Sequence, residues 1–205
     1  MEFSLPMALF DFVPVILFAM SAVIFQRDFF YRMVKGCFAV YCAGTIMVIT
    51  GGLFKATYKL LYAAGVCDFP MLSDCFMPFQ ATGFTLTAIA VLAYVFSKNG
   101  RSGEKIMSAA VPPLVTSKML FVVFMVLGVV LAHIGYAVIA IRRKRAGAAV
   151  LFFVSMVLEL GMGYLSTRDF TKASMNWIGE CVNFLGMLTL LLGTLDLHKN
   201  AFSEN

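Results

Sequence analysis

Glu159 stands among Val157, Leu158 and Leu160, well inside an apolar stretch. A carboxylate in such surroundings must bond a partner, take up a proton or border a watery cavity. That makes it suited to hold a cation, a proton or an amine. Asn176, Glu180 and Asn183 follow at i, i+4 and i+7, which puts all three on one face of a helix. Beside them run Gly179, Gly186 and Gly193 at intervals of seven, small residues over which a second helix could approach closely. A polar stripe beside a close-packed seam is what a solute site between helices needs, and equally what a satisfied interhelical hydrogen-bond ladder needs.

Gln80 shares another apolar run with Thr82, Thr85 and Thr87. Threonine hydroxyls commonly bond back to their own helix. Gln80 has no such easy partner, so it is expected to face the helix of Glu180. His133, followed by Gly135 and Tyr136, lies in the middle of a further apolar run. A histidine there can relay a proton, join a site, or rest as a hydrogen-bonded core residue. The candidate substrate-binding set is therefore Glu159, Glu180, Asn183, Gln80, His133 and Asn176.

Other chemistries lack their residues. His198 is the only second histidine and lies far along the chain, so paired-histidine haem or metal ligation is not expected. No serine-hydrolase elbow, zinc-protease helix, Walker loop or dinucleotide glycine motif occurs, and no catalytic residues, cofactor or metal are assigned. The last apolar run holds no lysine for a retinal-type Schiff base, and no run carries the spaced arginines of a voltage sensor. Cys67 and Cys75 flank one loop and could pair in an oxidising compartment, while Cys37, Cys42 and Cys181 read as small apolar side chains. Asp11 and Asp196 fall near the ends of apolar runs, where water is within reach.

The elements that must position these groups are apolar throughout. Hydrophobic residues are 61% of the 205-residue chain and charged residues 13%, against about 45–50% and about 25% in soluble domains. Crossing the hydrocarbon core takes about 20 residues of helix. The predicted fold is an all-α integral membrane protein, a six-helix transmembrane bundle with spans over Met7–Gln26, Met33–Phe54, Phe76–Ser97, Lys118–Ile141, Ala146–Leu165 and Met175–Leu197. The piece Lys55–Ala64, with Tyr58, Leu61 and Tyr62 on one face, is expected to lie along the interface. Tyr31, Tyr164 and Trp177 stand near span ends, where amphipathic rings favour the headgroup zone. The opening run starts with Glu2 and lacks a basic leader and cleavage site, so it is expected to be a retained helix.

The two halves resemble each other. Ala22-Val23-Ile24-Phe25-Gln26-Arg27 parallels Ala137-Val138-Ile139-Ala140-Ile141-Arg142, and Gly36 and Gly52 parallel Gly147 and Gly163 at one offset. This divides one membrane domain into a three-helix repeat over 1–99, a linker over 100–117 and a second repeat over 118–205. With six crossings the second repeat is inverted, and Lys and Arg divide nine to seven between the two sides. If Ile106–Thr116 also crossed, giving seven spans as three, one and three, the repeats would be parallel and the division eleven to five. Against this, 11 residues of helix cover only about 16 Å, and Pro112-Pro113 interrupts them.

The formal charge of +5 sits in short connectors, which suits anionic lipid headgroups rather than nucleic acid. The expected partners are thus the lipid bilayer, a small solute and, over the glycine seam, a second copy or a partner subunit. The expected location is a cell membrane. The function expected is binding or transport of a small solute at a polar site between helices. The alternatives are a non-catalytic scaffold or assembly subunit and, less favoured, a membrane-embedded lipid-modifying enzyme.

Overall fold

The computed structural model describes residues 4–97, 118–165 and 173–202. They form helices α1 (Leu5–Phe10), α2 (Phe12–Phe29), α3 (Lys35–Ala63), α4 (Pro70–Phe96), α5 (Lys118–Arg142), α6 (Ala146–Leu165) and α7 (Ala173–Leu197). A wider π-type turn, His198–Phe202, extends α7. There is no strand among the described residues. Six helical stretches are long and apolar enough to cross a membrane, with α1 and α2 together counting as one. Their outward faces carry Ile16, Val23, Ile46, Val150 and Phe153, each more than half exposed. An apolar belt of this kind suits lipid and not water.

Three boundaries differ from the sequence expectation. The first span breaks at Asp11 into α1 and α2. The cause is Pro14, which has no N–H for the Phe10 carbonyl and whose ring crowds it. The second span does not stop at Phe54. The piece Lys55–Ala63, expected along the interface, continues α3 as one 29-residue helix, because Lys59 has buried partners to meet. Gly65, at φ +67°, ends it. The amides of Gly65 and Val66 bond the carbonyls of Tyr62 and Leu61, which closes the helix in a Schellman turn. Third, α4 begins at Pro70 rather than at Phe76, so Cys75 lies within a helix, and Cys67 and Cys75 are both free thiols.

Helix directions follow from their contacts. Strand-like alternation is absent, and neighbours pack along their lengths: α3 against α4, α6 against α7, and α2 against both α3 and α7. α4 and α5 run parallel. Gly128 lies against Phe84 and Thr85, Gly135 against Val91, and Arg142 donates to the Val95 carbonyl. Ser97 and Lys118 therefore sit at opposite ends of the bundle, on the order of 35 Å apart at 1.5 Å per residue. Residues 98–117, including the whole linker and the Ile106–Thr116 piece, lie outside the described residues. α2 and α7 are parallel as well, with Asp28 beside His198 and Phe10 beside Trp177 and Phe184. Each set of three spans thus runs in the same sense, and the inverted relation expected for six crossings does not describe them.

The ends of the bundle are unlike. At one lie Arg27, Arg32, Lys35, Arg142, Arg143, Lys144, Arg145 and Lys199. The other described end offers only Lys55, Lys59 and Lys118. Below the basic end the core is aromatic and dense. Phe25 stacks on Tyr136 at 4.5 Å between centroids, and Phe29, Tyr41 and Phe152 surround the pair. The Tyr41 and Tyr136 hydroxyls meet at 3.1 Å. Phe202 closes this layer beneath the guanidinium groups of Arg32 and Arg143, 4.6 and 5.1 Å from its ring.

Candidate functional site

Toward the less basic half the packing loosens into a cavity of about 200 Å³. Its walls are mostly apolar, among them Phe18, Val48, Phe84, Val129 and Met187, with Asp11, Lys55, Gln80, Asn183 and Glu159 as the polar lining. A pocket of apolar walls with a few polar groups is the usual form of a small-molecule site. This one lies below the roughly 300–1,000 Å³ of drug-sized pockets, so it has room only for a small molecule.

The helices bring these groups together for local reasons. Lys55 and Gly52 lie on the inward face of α3, and Gln80 faces them from α4. Gln80 donates to the Val48 carbonyl at 3.1 Å. It therefore bonds α3, not the helix of Glu180 as the sequence suggested, while still sharing the cavity wall with Asn183 of that helix. Thr85 and Thr87 bond back to the Ala81 and Gly83 carbonyls at 2.8 Å, as threonines in apolar helices commonly do.

Two ionic clusters flank the cavity. In the first, Lys59 reaches 3.1 Å from Asp11 Oδ2 and donates to Glu180 Oε1. The three side chains are only 8%, 4% and 5% exposed. Asp11 was expected to reach water near a span end. The break at Pro14 instead turns it inward, where two carboxylates and one ammonium are buried together. Lys55 lies at the same end of the cavity, its ammonium 5.0 Å from the Phe76 ring centroid, so the four charges of this end sum to zero. Asn176, also buried, belongs to the same turn of α7. Glu180 thus serves a packed ionic cluster, and neither it nor Asn176 is among the residues that border the cavity.

The second cluster is built on Ser155, which is fully buried. His133 Nδ1 lies 2.8 Å from the Val129 carbonyl one turn back along α5. A carbonyl only accepts, so Nδ1 carries a proton. Nε2 lies 3.1 Å from Ser155 Oγ and 3.4 Å from Glu159 Oε1. Ser155 Oγ is in turn 2.8 Å from the Gly186 carbonyl and 3.3 Å from Glu159 Oε1. An added Cβ on Gly186 would stand at an ordinary 3.5 Å from Glu159 and Leu158, whereas one on Gly193 would lie 2.9 Å from the Phe152 ring, so there the missing side chain is what permits the approach. The glycine seam of α7 therefore packs against α6 within the chain.

The group resembles a serine–histidine–carboxylate triad in composition only. In a hydrolase the carboxylate sits on the imidazole edge opposite the serine. Here Ser155 and Glu159 share the Nε2 edge, and Ser155 lies behind the cavity wall. What the arrangement can do is hold a proton beside a cavity.

Of the six candidate residues, the structure places Glu159, Gln80 and Asn183 on the cavity, His133 immediately behind Glu159, Glu180 in the ionic cluster, and Asn176 buried one turn before Glu180 on α7. Sequence reasoning missed Asp11, Lys55, Lys59 and Ser155. Ser155 could have been noticed one turn before Glu159; the others depend on which helices meet. No group of histidine, cysteine and carboxylate side chains among the described residues is arranged to hold a metal. No family model matches the chain, and no curated protein or solved structure matches it. The function is therefore argued from the geometry of the site.

Proposed function

We propose that this protein is an integral membrane protein that binds, and in its membrane moves, a small and mostly apolar solute within the cavity bordered by Glu159, Gln80 and Asn183. The observation that carries the reading is the cavity itself. A buried carboxylate, an amide from α4 and an amide from α7 converge on one apolar void. A scaffold whose polar residues only tie helices together has no need of such a void. The Asp11–Lys59–Glu180 cluster is a tie of that kind, which leaves Glu159, Gln80 and Asn183 for the solute.

The parallel course of α4 and α5 supports a finer topology. Ser97 and Lys118 stand at opposite ends of the bundle, which favours the alternative of two parallel repeats over the inverted arrangement. Transporters built of parallel repeats place their substrate between the halves. Here the cavity wall draws on α2, α3 and α4 from one half and α5, α6 and α7 from the other. The basic end would face the cytoplasm by the positive-inside tendency, and the cavity would lie toward the opposite side of the aromatic layer.

The test is ligand-dependent stabilisation of the full chain in lipid nanodiscs, screened over small molecules of each charge type. A true occupant raises the unfolding temperature of the wild type, since it binds the folded state only. It fails to do so in Val126→Trp, which fills the void. Uptake of that ligand into proteoliposomes should then be lost in Glu159→Gln while folding survives. A cavity-filling variant that binds every hit as well as the wild type would sink the reading.

A further inference from the structure

If Glu159 is ionised and His133 neutral, the contacts around Ser155 leave an imidazole lone pair and a carboxylate oxygen facing each other with no hydrogen between them. Four short edges meet there: Oγ to the Gly186 carbonyl, Oγ to His133 Nε2, Oγ to Glu159 Oε1, and Nε2 to Oε1. The Ser155 hydroxyl supplies a single hydrogen, which serves one edge. Nδ1–H is already committed to Val129. Without another hydrogen, an imidazole lone pair, a carboxylate and a hydroxyl oxygen would face one another at 3.1 to 3.4 Å in a buried site. One additional proton, on Nε2 or on the carboxyl, comes between the imidazole nitrogen and the carboxylate oxygen 3.4 Å apart and makes the dyad neutral as a whole. Glu159 meets Ser155 and His133 through Oε1, and the same residue borders the cavity.

Resting on the solute-binding reading, we infer that the occupant is a small lipophilic cation that binds Glu159 in exchange for the dissociable proton of the His133–Glu159 dyad. The balance is one for one. In the empty site the dyad holds its proton and is neutral. When a cation docks on Glu159, that proton leaves to water, His133 becomes a neutral imidazole with Nδ1–H still on Val129, and the carboxylate pairs with the cation. No net charge is then left in the apolar cavity, which is the state that costs least to desolvate. Phe18 and Phe84 line the wall, and aromatic rings favour a cation nearby.

The other charged and titratable groups around the dyad do not upset this count. Asp11 and Lys55, opposite in sign, share the cavity lining with Glu159, and Lys59 pairs with Asp11 and Glu180. Tyr136 on α5 is tied to Tyr41 of α3 through its hydroxyl. α4 presents the neutral Gln80, and α7 the neutral Asn183. Exchange of this kind couples uptake of a cation on one side to movement of a proton, so a pH gradient would suffice as the energy source.

Benzyltrimethylammonium, charged at every pH, and benzyl alcohol, its uncharged comparison, provide the test on the full chain in nanodiscs. Calorimetry in buffers of different ionisation enthalpy counts the protons released. The expected result is preference for the cation by at least tenfold, release of about one proton for each cation bound, and affinity that rises with pH. His133→Gln should retain cation binding but release no proton, and Glu159→Gln should lose the preference. Binding of both probes without preference or proton release would overturn the exchange and leave the solute cavity standing. Binding of neither would overturn both.

Discussion

Replacing Lys59 by methionine isolates what the buried ionic cluster contributes. Methionine preserves the length and apolar stem of the side chain, so the change is essentially one charge and its hydrogen bonds. It leaves Asp11 and Glu180 facing each other at 4% and 5% side-chain exposure, with only Lys55 nearby to balance them. Removing one partner of a buried pair costs about 3–5 kcal/mol, because the survivors stay desolvated without compensation. For a chain of this size each kcal/mol moves the midpoint by about 2–4 °C, so Lys59→Met should unfold on the order of 6–20 °C below the wild type. The control lies in the same molecule. Arg145 and Asp196 pair at 2.7 Å but are 33% and 29% exposed, and such pairs contribute about 0–1 kcal/mol. Arg145→Met should therefore shift the midpoint by no more than a few degrees. Neutralising the rest of the cluster, as Lys59→Met with Asp11→Asn and Glu180→Gln, should recover most of the loss, since uncharged groups can occupy the site without the desolvation cost. The assay is thermal unfolding in detergent followed by circular dichroism at fixed pH. Equal midpoints for Lys59→Met and Arg145→Met, or no recovery in the triple variant, would refute the argument that burial makes this cluster decisive.

Helix packing and topology supply further tests. A Cβ on Gly44 would lie 2.6 Å from Thr87 Oγ1 and 2.7 Å from the Thr87 backbone nitrogen, so Gly44→Ala should separate α3 from α4 and cost about 1–3 kcal/mol. Gly147→Ala, with nothing within 4 Å of the added carbon, should stay within about 0.5 kcal/mol in the same unfolding measurement. Cys67, exposed in the loop between α3 and α4, should react with a membrane-impermeant maleimide added outside intact cells, whereas Lys144→Cys at the basic end should react only after permeabilisation. The reverse pattern would place the basic end outside and invert the proposed orientation.

Much of the helical architecture was legible because bilayer-length apolar runs are a property of composition alone. Where reading by run length erred, a single polar residue found a partner elsewhere in the chain. Lys55 and Lys59 looked like the polar edge of an interfacial helix. Lys59 instead extends α3 inward, because two carboxylates more than forty residues away on either side neutralise it. Asp11 looked solvated at a helix end until Pro14 turned it toward the core. The candidate stripe of α7 divided for a similar reason: Glu180 met Lys59, and Asn183, nearly a turn further on, met the cavity.

The amino-acid sequence by itself determined that this protein consists of helices long and apolar enough for a membrane, and that a few costly polar groups lie within them. Those facts depend on local composition and on the period of the helix, which every segment carries with it. Only the tertiary structure decided which polar groups neutralise one another and which border a void. A buried charge takes its meaning from partners within a few ångströms, and those arrive from helices whose order and direction no local pattern records. The same holds for the parallel course of α4 and α5, set by side-chain packing along Gly128 and Gly135, and for the meeting of Ser155, His133 and Glu159.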